Sequence, residues 1–172
     1  MTSPIAAAAI AASLILAGPA AAASRTERVV VDRFTDHYDL AVDCSEFGPY
    51  SFENLVTGRE HVRVIEVSDT RSGELLQTIF HIQLKEDDVN SVTGKALPLH
   101  GSIHEVWDYA ENTRTMDGVV WMGNAPGEGN PVQETGRIVM TLDTHEAFFV
   151  AGPHPAFFKG GIDPAVCGWL DQ

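Results

Sequence analysis

The stretch Glu134–His154 reads ETGRIVMTLDTHEAFFVAGPH, and its pattern decides the fold class. Every second residue over 138–142 is apolar, a second apolar run covers 147–151, and polar residues separate the two. Gly152-Pro153 then ends the second run. Apolar residues with a period of two, bounded by turn residues, indicate β-strands. The stretch therefore predicts a β-hairpin followed by a turn.

Similar runs occur through the rest of the chain, and turn residues separate them. They predict further strands at 28–34, 38–42, 50–56, 60–68, 75–84, 97–109 and 116–122. Near the C-terminus, Asp163-Pro164 is typical of a helix start, with the aspartate as N-cap, so we predict a short helix that carries Cys167. About eight strands joined by short turns are typical of an antiparallel sandwich or a closed barrel. We therefore predict an all-β, mainly antiparallel fold with one short C-terminal helix.

The run 75–84 is the most regular of these strands. Because side chains of a strand alternate between its faces, Phe80 and Ile82 are expected in the core while His81 and Gln83 are not. The charged run that follows, 85–91, is expected to be a solvated turn.

The run 97–109 allows two interpretations. A helix could begin at Ser102, with Ser102 and Glu105 forming a capping box. We favour a strand, because the neighbouring runs are strands and the interior holds Ile, Val, Trp and Tyr. The segment 102–112 is where the two interpretations differ.

The N-terminal 23 residues have the layout of a secretory signal peptide. They carry no charged side chain, their apolar run ends at Gly18-Pro19, and small residues at 20–23 suit a cleavage site. An uncleaved anchor is the alternative, but the run is short and interrupted. We predict a signal peptide at 1–23, a single β-rich domain at 24–172, no later membrane span, and a secreted or cell-envelope location.

The charge of the chain restricts its partners. It has 24 acidic and 11 basic residues, which gives a net charge of −13. Such a charge repels nucleic acid and anionic lipid headgroups. We therefore expect no nucleic-acid partner and no binding to membrane surfaces.

The two cysteines, Cys44 and Cys167, are predicted to form a disulfide. Exported chains with an even number of cysteines usually pair them. The alternative is a cysteine that binds metal or acts as a nucleophile. Neither cysteine lies in a C-x-x-C motif or beside a histidine.

The last third of the chain resembles a family of small exported actinobacterial β-rich proteins. The resemblance rests on the loop 126–129 (PGEG), the strand 136–139 (GRIV), the turn 151–154 (AGPH) and a cysteine near the C-terminus, here Cys167. It implies export, a β-rich domain and a cysteine pair, and it implies no activity. On strand count alone the chain is also similar to calycin-type barrels, so we favour a calycin-like barrel over a sandwich.

Two histidines, His100 and His104, are candidate metal ligands. Residues four apart on a strand share a face but stand about 13 Å apart, too far to share one ion. On a helix they could chelate. A strand therefore argues against this site, and we predict no cofactor.

His154, Glu134 and Arg137 are the candidate acid–base residues. His154 lies between two prolines, which hold its backbone in a defined position. Arg137 could orient an acidic ligand inside a barrel, or it could pair with a carboxylate across the sheet. The second interpretation is the one we favour.

No motif in the sequence declares an activity: there is no G-x-S-x-G, no P-loop and no dinucleotide fingerprint. We therefore expect an exported, non-catalytic β domain that binds a small apolar ligand or acts at the cell envelope. The alternative is a small isomerase or cyclase with one acid or base in an apolar pocket. The sequence does not rank ligand classes or assign an oligomeric state.

Overall fold

Seven antiparallel strands form one sheet, and each strand pairs with its neighbours in sequence. The computed structural model describes residues 26–125, 127, 129–154 and 161–172. The strands are β1 Thr26–Asp43, β2 Glu53–Asp69, β3 Leu75–Asn90, β4 Ala96–Asp108, β5 Thr113–Gly123, β6 Gln133–Thr141 and β7 Ala147–Ala151. A 3-10 turn, Cys44–Glu46, follows β1, and the helix α1, Asp163–Leu170, lies near the C-terminus. The predicted signal peptide lies outside the described residues.

The all-β, antiparallel class and the short C-terminal helix are confirmed, whereas the strand count is lower than predicted. The runs 28–34 and 38–42 belong to one strand, β1, and the runs 50–56 and 60–68 belong to β2. β1 and β2 pair along almost their whole length, so the hydrogen-bond ladder passes through the polar residues between the runs. The polar residues between the runs fit within the strands because most of their side chains are exposed to solvent.

Gly58, which we took as part of a break, has a packing role. The ring of Tyr38 lies over it, so that a Cβ at this position would be 2.3 Å from the Tyr38 ring. The Tyr38 hydroxyl reaches past β2 and donates a hydrogen bond of 2.6 Å to the Glu86 carboxylate on β3. The glycine therefore lets β1 contact the strand beyond its neighbour.

The predicted closure of the sheet is not observed. β1 and β7 are the two edges of one sheet, and no pairing joins them within the described residues. A sandwich would need a second sheet, which those residues do not contain either. The calycin-like barrel was inferred from strand number, and strand number does not determine whether the last strand returns to the first.

The predicted hairpin is confirmed as β6 and β7, with a turn at 142–146. Ile138 and Met140 are buried, as their alternation predicts. β4 confirms that the run 97–109 is a strand rather than a helix. Within the described residues no helix is both long and apolar enough to cross a membrane.

One face of the sheet, here called the core face, carries most of the buried apolar residues. They include Val56, Val62, Leu84, Leu97, Leu99, Ile103, Ile138 and Met140. Phe80 and Ile82 lie on this face and are half-buried, while His81 and Gln83 are exposed on the other. The predicted orientation of this strand is therefore confirmed, although Phe80 is less buried than expected. Its ring packs 5.1 Å from that of Trp107.

The helix α1 covers one end of the core face. Val166, Cys167, Trp169 and Leu170 of the helix pack with Phe52, Leu97 and Leu99. Lys95 and Asn90 donate hydrogen bonds of 2.8 and 3.2 Å to carbonyls of the last helical turn. Asp163 is the first helical residue, one position later than the N-cap role predicted for it.

The predicted disulfide is present between Cys44 and Cys167, whose Cα atoms are 5.7 Å apart. Both cysteines are fully buried within the cluster beneath α1. The bridge therefore joins the end of β1 to the helix and leaves neither cysteine available as a metal ligand or nucleophile.

Candidate functional site

Glu134 and His154, two of the three candidate acid–base residues, lie together and are buried. Glu134 is on β6 and His154 follows β7; the His154 Nδ1 atom is 3.2 Å from the Glu134 Oε2 atom. Only 3% of His154 and 4% of Glu134 is exposed. Buried ionisable groups are rare unless they are paired, so this arrangement marks the region as a candidate site.

Two glycines let the chain after β7 approach β6 closely enough to place His154. Gly136 and Gly152 have φ angles of 125° and 102°. A Cβ at Gly136 would be 2.1 Å from the Ala151 carbonyl oxygen, and a Cβ at Gly152 would be 2.3 Å from that of Thr135. Only glycine accepts both the positive φ and the close contact.

The hydrogen bonds of His154 restrict where the protons of the pair lie. The Nε2 atom is 3.3 Å from the Ala151 carbonyl oxygen, and Nδ1 faces the Glu134 carboxyl group. A carbonyl and a carboxylate both accept, so bonds on both sides require an imidazolium, or a neutral ring beside a protonated Glu134. In either form the pair holds one more proton than a neutral histidine beside a carboxylate.

Arg137, the third candidate, lies on the opposite face of the sheet. Its guanidinium donates two hydrogen bonds to the Asp117 carboxylate, Nε to Oδ1 at 2.5 Å and Nη2 to Oδ2 at 3.1 Å. The pairing across the sheet is therefore confirmed, and Arg137 takes no part in a site with Glu134 and His154.

A cavity of about 300 Å³ opens on the core face between β5, β6 and the start of α1. Its apolar lining consists of Met116, Val120, Trp121, Ile138, Met140 and Ile162. Glu134, Arg114 and His145 also reach it. The cavity is thus an apolar space with a few polar groups at its wall, which is the usual make-up of a small-molecule site.

Glu134 and Arg114, two ionisable residues on the cavity wall, each have a hydrogen-bonded partner. Glu134 faces His154, and Arg114 donates to Glu105 through Nε at 2.7 Å and through Nη2 at 3.1 Å. Glu105 also accepts a hydrogen bond from the Trp107 indole, and it is buried. Among the described residues, the cavity wall therefore presents no unpaired arginine, lysine or carboxylate to a ligand.

The indole of Trp121 has an unmet hydrogen-bonding requirement. Its Nε1 atom is buried and has no acceptor within the described residues. A buried donor without an acceptor costs about 1–3 kcal/mol. The Nε1 atom is not exposed to the cavity, so a ligand oxygen would reach it only after the Trp121 ring turns.

The candidate metal residues His100 and His104 lie on β4, with His100 exposed and His104 half-buried. His104 faces His81 of β3, with the ring centroids 4.9 Å apart. In the part of the chain that the structure describes, no group of three or more histidine, cysteine or acidic residues is placed to hold a metal ion.

Asp88 is a buried acidic residue that the sequence interpretation placed in solvent. β3 continues to Asn90, so the predicted turn at 85–91 is wrong, and Asp88 is only 2% exposed. Asn54 donates a hydrogen bond to one Asp88 oxygen, while the other oxygen and the Asn54 amide oxygen have no partner in the described chain. Burial raises the pKa of Asp88 to about 7. Extending the alternation of β3 from Thr78 would have predicted that Asp88 is buried, because Leu84, Glu86 and Asp88 lie on the same face of the strand.

Searches against protein-family models, curated proteins and solved structures found no match for this chain. The resemblance to exported actinobacterial proteins therefore stays a prediction.

Proposed function

We propose that this chain is an exported, non-catalytic β domain that binds a small, neutral, largely apolar molecule in the cavity beside β5 and β6. The observation that carries the proposal is the cavity of about 300 Å³ whose wall is mostly apolar. That volume is at the lower end of the usual range for small-molecule sites, about 300–1,000 Å³, so the ligand should be compact.

The polar groups of the cavity favour a ligand with one oxygen acceptor. Trp121 holds a buried N–H that has no acceptor within the described residues, whereas Arg114 and Glu134 already have hydrogen-bonded partners. A charged ligand would have to enter an apolar space without a free counter-ion, which is unfavourable. A cyclic ketone, ether or alcohol of terpenoid type has the required combination.

The Cys44–Cys167 bridge supports the exported location, because disulfides of this kind persist mainly in oxidising compartments. The layout of residues 1–23 supports it independently. The alternative of a role at the cell envelope is compatible with the same two observations.

The test is a thermal-shift and native mass spectrometry screen of compact terpenoid ketones, each beside the hydrocarbon of the same skeleton. A bound ketone should raise the melting temperature, and the hydrocarbon should do so less. Trp121→Phe removes the N–H, so it should weaken ketone binding by about 0.5–1.5 kcal/mol and leave hydrocarbon binding unchanged.

A variant that fills the cavity provides the second measurement. Val120 lines the cavity, and Val120→Phe should abolish the shift, whereas the same substitution at the exposed Val92 should not. If Val120→Phe retains the shift, the ligand binds elsewhere and the proposal is wrong.

A second candidate function is acid–base catalysis of an isomerase or cyclase type, and the observation that favours it is Glu134 itself. Its carboxyl group reaches the apolar cavity and is held by His154. The two candidates differ in the fate of the ligand. A binding domain returns the ligand unchanged after long incubation, whereas an enzyme converts it, and Glu134→Gln should then abolish the conversion while leaving binding intact.

A further inference from the structure

On the face opposite the core face, three neighbouring rows of side chains form what we call the cationic grid. The first row crosses four strands and holds Arg33, Arg63, His81 and His104. The second row holds Thr35, His61, Gln83 and Ser102. The third row holds His37, Arg59, Lys85 and His100. Strand and residue spacings make the grid about 14 Å wide in each direction.

The grid contains no carboxylate, although the whole chain has a net charge of −13. Four of its twelve members are arginine or lysine and five are histidine. All members are exposed except His104, which is half-buried. The chain has 18 arginine, lysine and histidine residues, and nine of them lie in the grid.

The four fixed cations of the grid have no intramolecular counter-ion. Arg33, Arg59, Arg63 and Lys85 form no ion pair within the described residues. Arg114 and Arg137, outside the grid, each hold a carboxylate. Fold stability therefore does not explain the cations of the grid.

Several grid members face a residue of like charge on the adjacent strand. Arg33 faces Arg63, and Arg59 faces Lys85. Like charges directly opposite on neighbouring strands destabilise a sheet. An anion bound between two such cations would be attracted to both, and this attraction would offset their mutual repulsion.

The borders of the grid limit how a ligand lies on it. Beyond the third row come Asp39, Thr57 and Asp87, a row with two carboxylates. Beyond the first row come Ile65, Ile79 and Val106, which are apolar. An anionic chain therefore meets fixed cations on β1, β2 and β3, and it meets repulsion or apolar surface along the strands. On β4 the first row ends at His104, which faces Asp117 of β5.

We propose that the cationic grid binds a linear polymer that carries phosphate groups. Arginine and lysine side chains on two neighbouring strands can both donate charge-assisted hydrogen bonds to the oxygens of one phosphate group. The grid carries no phenylalanine, tyrosine or tryptophan on which bases could stack, and histidine is its only aromatic residue type; this disfavours single-stranded nucleic acid. It also lacks an apolar side chain that could enter a bilayer, which disfavours a lipid surface. This site does not depend on the cavity, which lies on the other face.

The test uses the full secreted chain and inorganic polyphosphate as the probe, by titration calorimetry at pH 7 and low salt. Arg59→Gln with Arg63→Gln should weaken binding at least about tenfold, because each change removes a charge-assisted hydrogen bond to phosphate. The matched control is Arg28→Gln with Arg71→Gln, two exposed arginines outside the grid, and it should bind like the parent. Circular dichroism establishes that both double variants are folded.

Three results would overturn the proposal. The first is no binding of polyphosphate at low salt. The second is equal weakening by the control variant, which would show a general charge effect. The third is binding of polyglutamate, single-stranded DNA or anionic vesicles at least as tight as that of polyphosphate, since each would assign the face to another class of partner.

Discussion

The part of the sheet beneath α1 and the edge formed by β1 are stabilised by different interactions. At the end beneath α1, Cys44, Leu97, Val166, Cys167 and Leu170 are at most 1% exposed, and a disulfide joins the segments. At the β1 edge, a strand of 18 residues pairs with β2 alone, and nearly all its side chains are exposed. β1 is thus held mainly by backbone hydrogen bonds, whereas the covered end is held by packing and a covalent link. Local stability should therefore fall from α1 towards β1.

The largest effect is expected from the disulfide. Removing it by reduction, or with Cys44→Ala, should lower the free energy of unfolding by about 2–5 kcal/mol. Urea denaturation with and without reductant measures the loss. Two titratable thiols in denatured, unreduced protein would contradict the bridge.

Two leucines test the comparison with the same substitution. Leu97 is fully buried under α1, whereas Leu40 of β1 is 48% exposed. Leu97→Ala should cost about 2–5 kcal/mol, and Leu40→Ala about 0.5 kcal/mol or less. Equal losses in urea denaturation would show that the two ends are not stabilised differently.

The buried acid at the covered end predicts a pH dependence. The pKa of Asp88 is about 7 in the folded protein, above the ordinary aspartate value, so the folded state binds more protons. Its contribution to stability is complete below about pH 4 and is lost as the pH rises through 7. Asp88→Asn should remove this dependence and stabilise the protein at pH 8 by about 1–3 kcal/mol, because it removes a poorly paired buried charge.

The neighbouring Asp87 is the control for that change, because it is exposed on the other face. Asp87→Asn should leave the pH dependence of urea denaturation as in the parent. If both variants behave alike, burial of Asp88 is not the cause of the pH dependence.

A smaller effect than that of Asp88→Asn is expected where β1 contacts a strand beyond its neighbour. Tyr38→Phe removes the hydrogen bond to Glu86 and should cost about 0.5–1.5 kcal/mol. Hydrogen exchange should show the loss mainly in β1 amides. A loss spread evenly over all strands would mean that β1 unfolds only with the rest of the sheet.

The sequence was sufficient for features that depend on local pattern or on compartment. Alternation within one run predicts the β6–β7 hairpin and the strand at 97–109, and export predicts the pairing of Cys44 with Cys167. The pairing of Arg137 with a carboxylate also follows from its position on a strand. Each of these features can be predicted from one segment of the sequence or from the redox environment of the protein.

Features that depend on how segments are placed against each other were not predictable in this way. The sheet stays open although its strand number suits a barrel, and β1 and β2 extend through polar residues because they pair with each other. The cationic grid exists only in one register: a shift of one residue between strands would move its members to opposite faces. Glu134 and His154 lie together because the chain turns at Gly152. Gly152 packs against Gly136 of the neighbouring strand, which is 16 residues away in the sequence.

The disulfide between Cys44 and Cys167 also closes a covalent loop, and the residues before Cys44 lie outside that loop. Six strands, β2 to β7, lie inside the covalent loop, and β1 lies outside it. A protease that cuts one exposed turn inside the loop, such as that at 91–95, leaves a single covalent molecule whose mass on a non-reducing gel is unchanged. A cut before Cys44 instead leaves β1 without a covalent link to the loop, so among the described strands β1 is the one that proteolysis can separate from the oxidised protein.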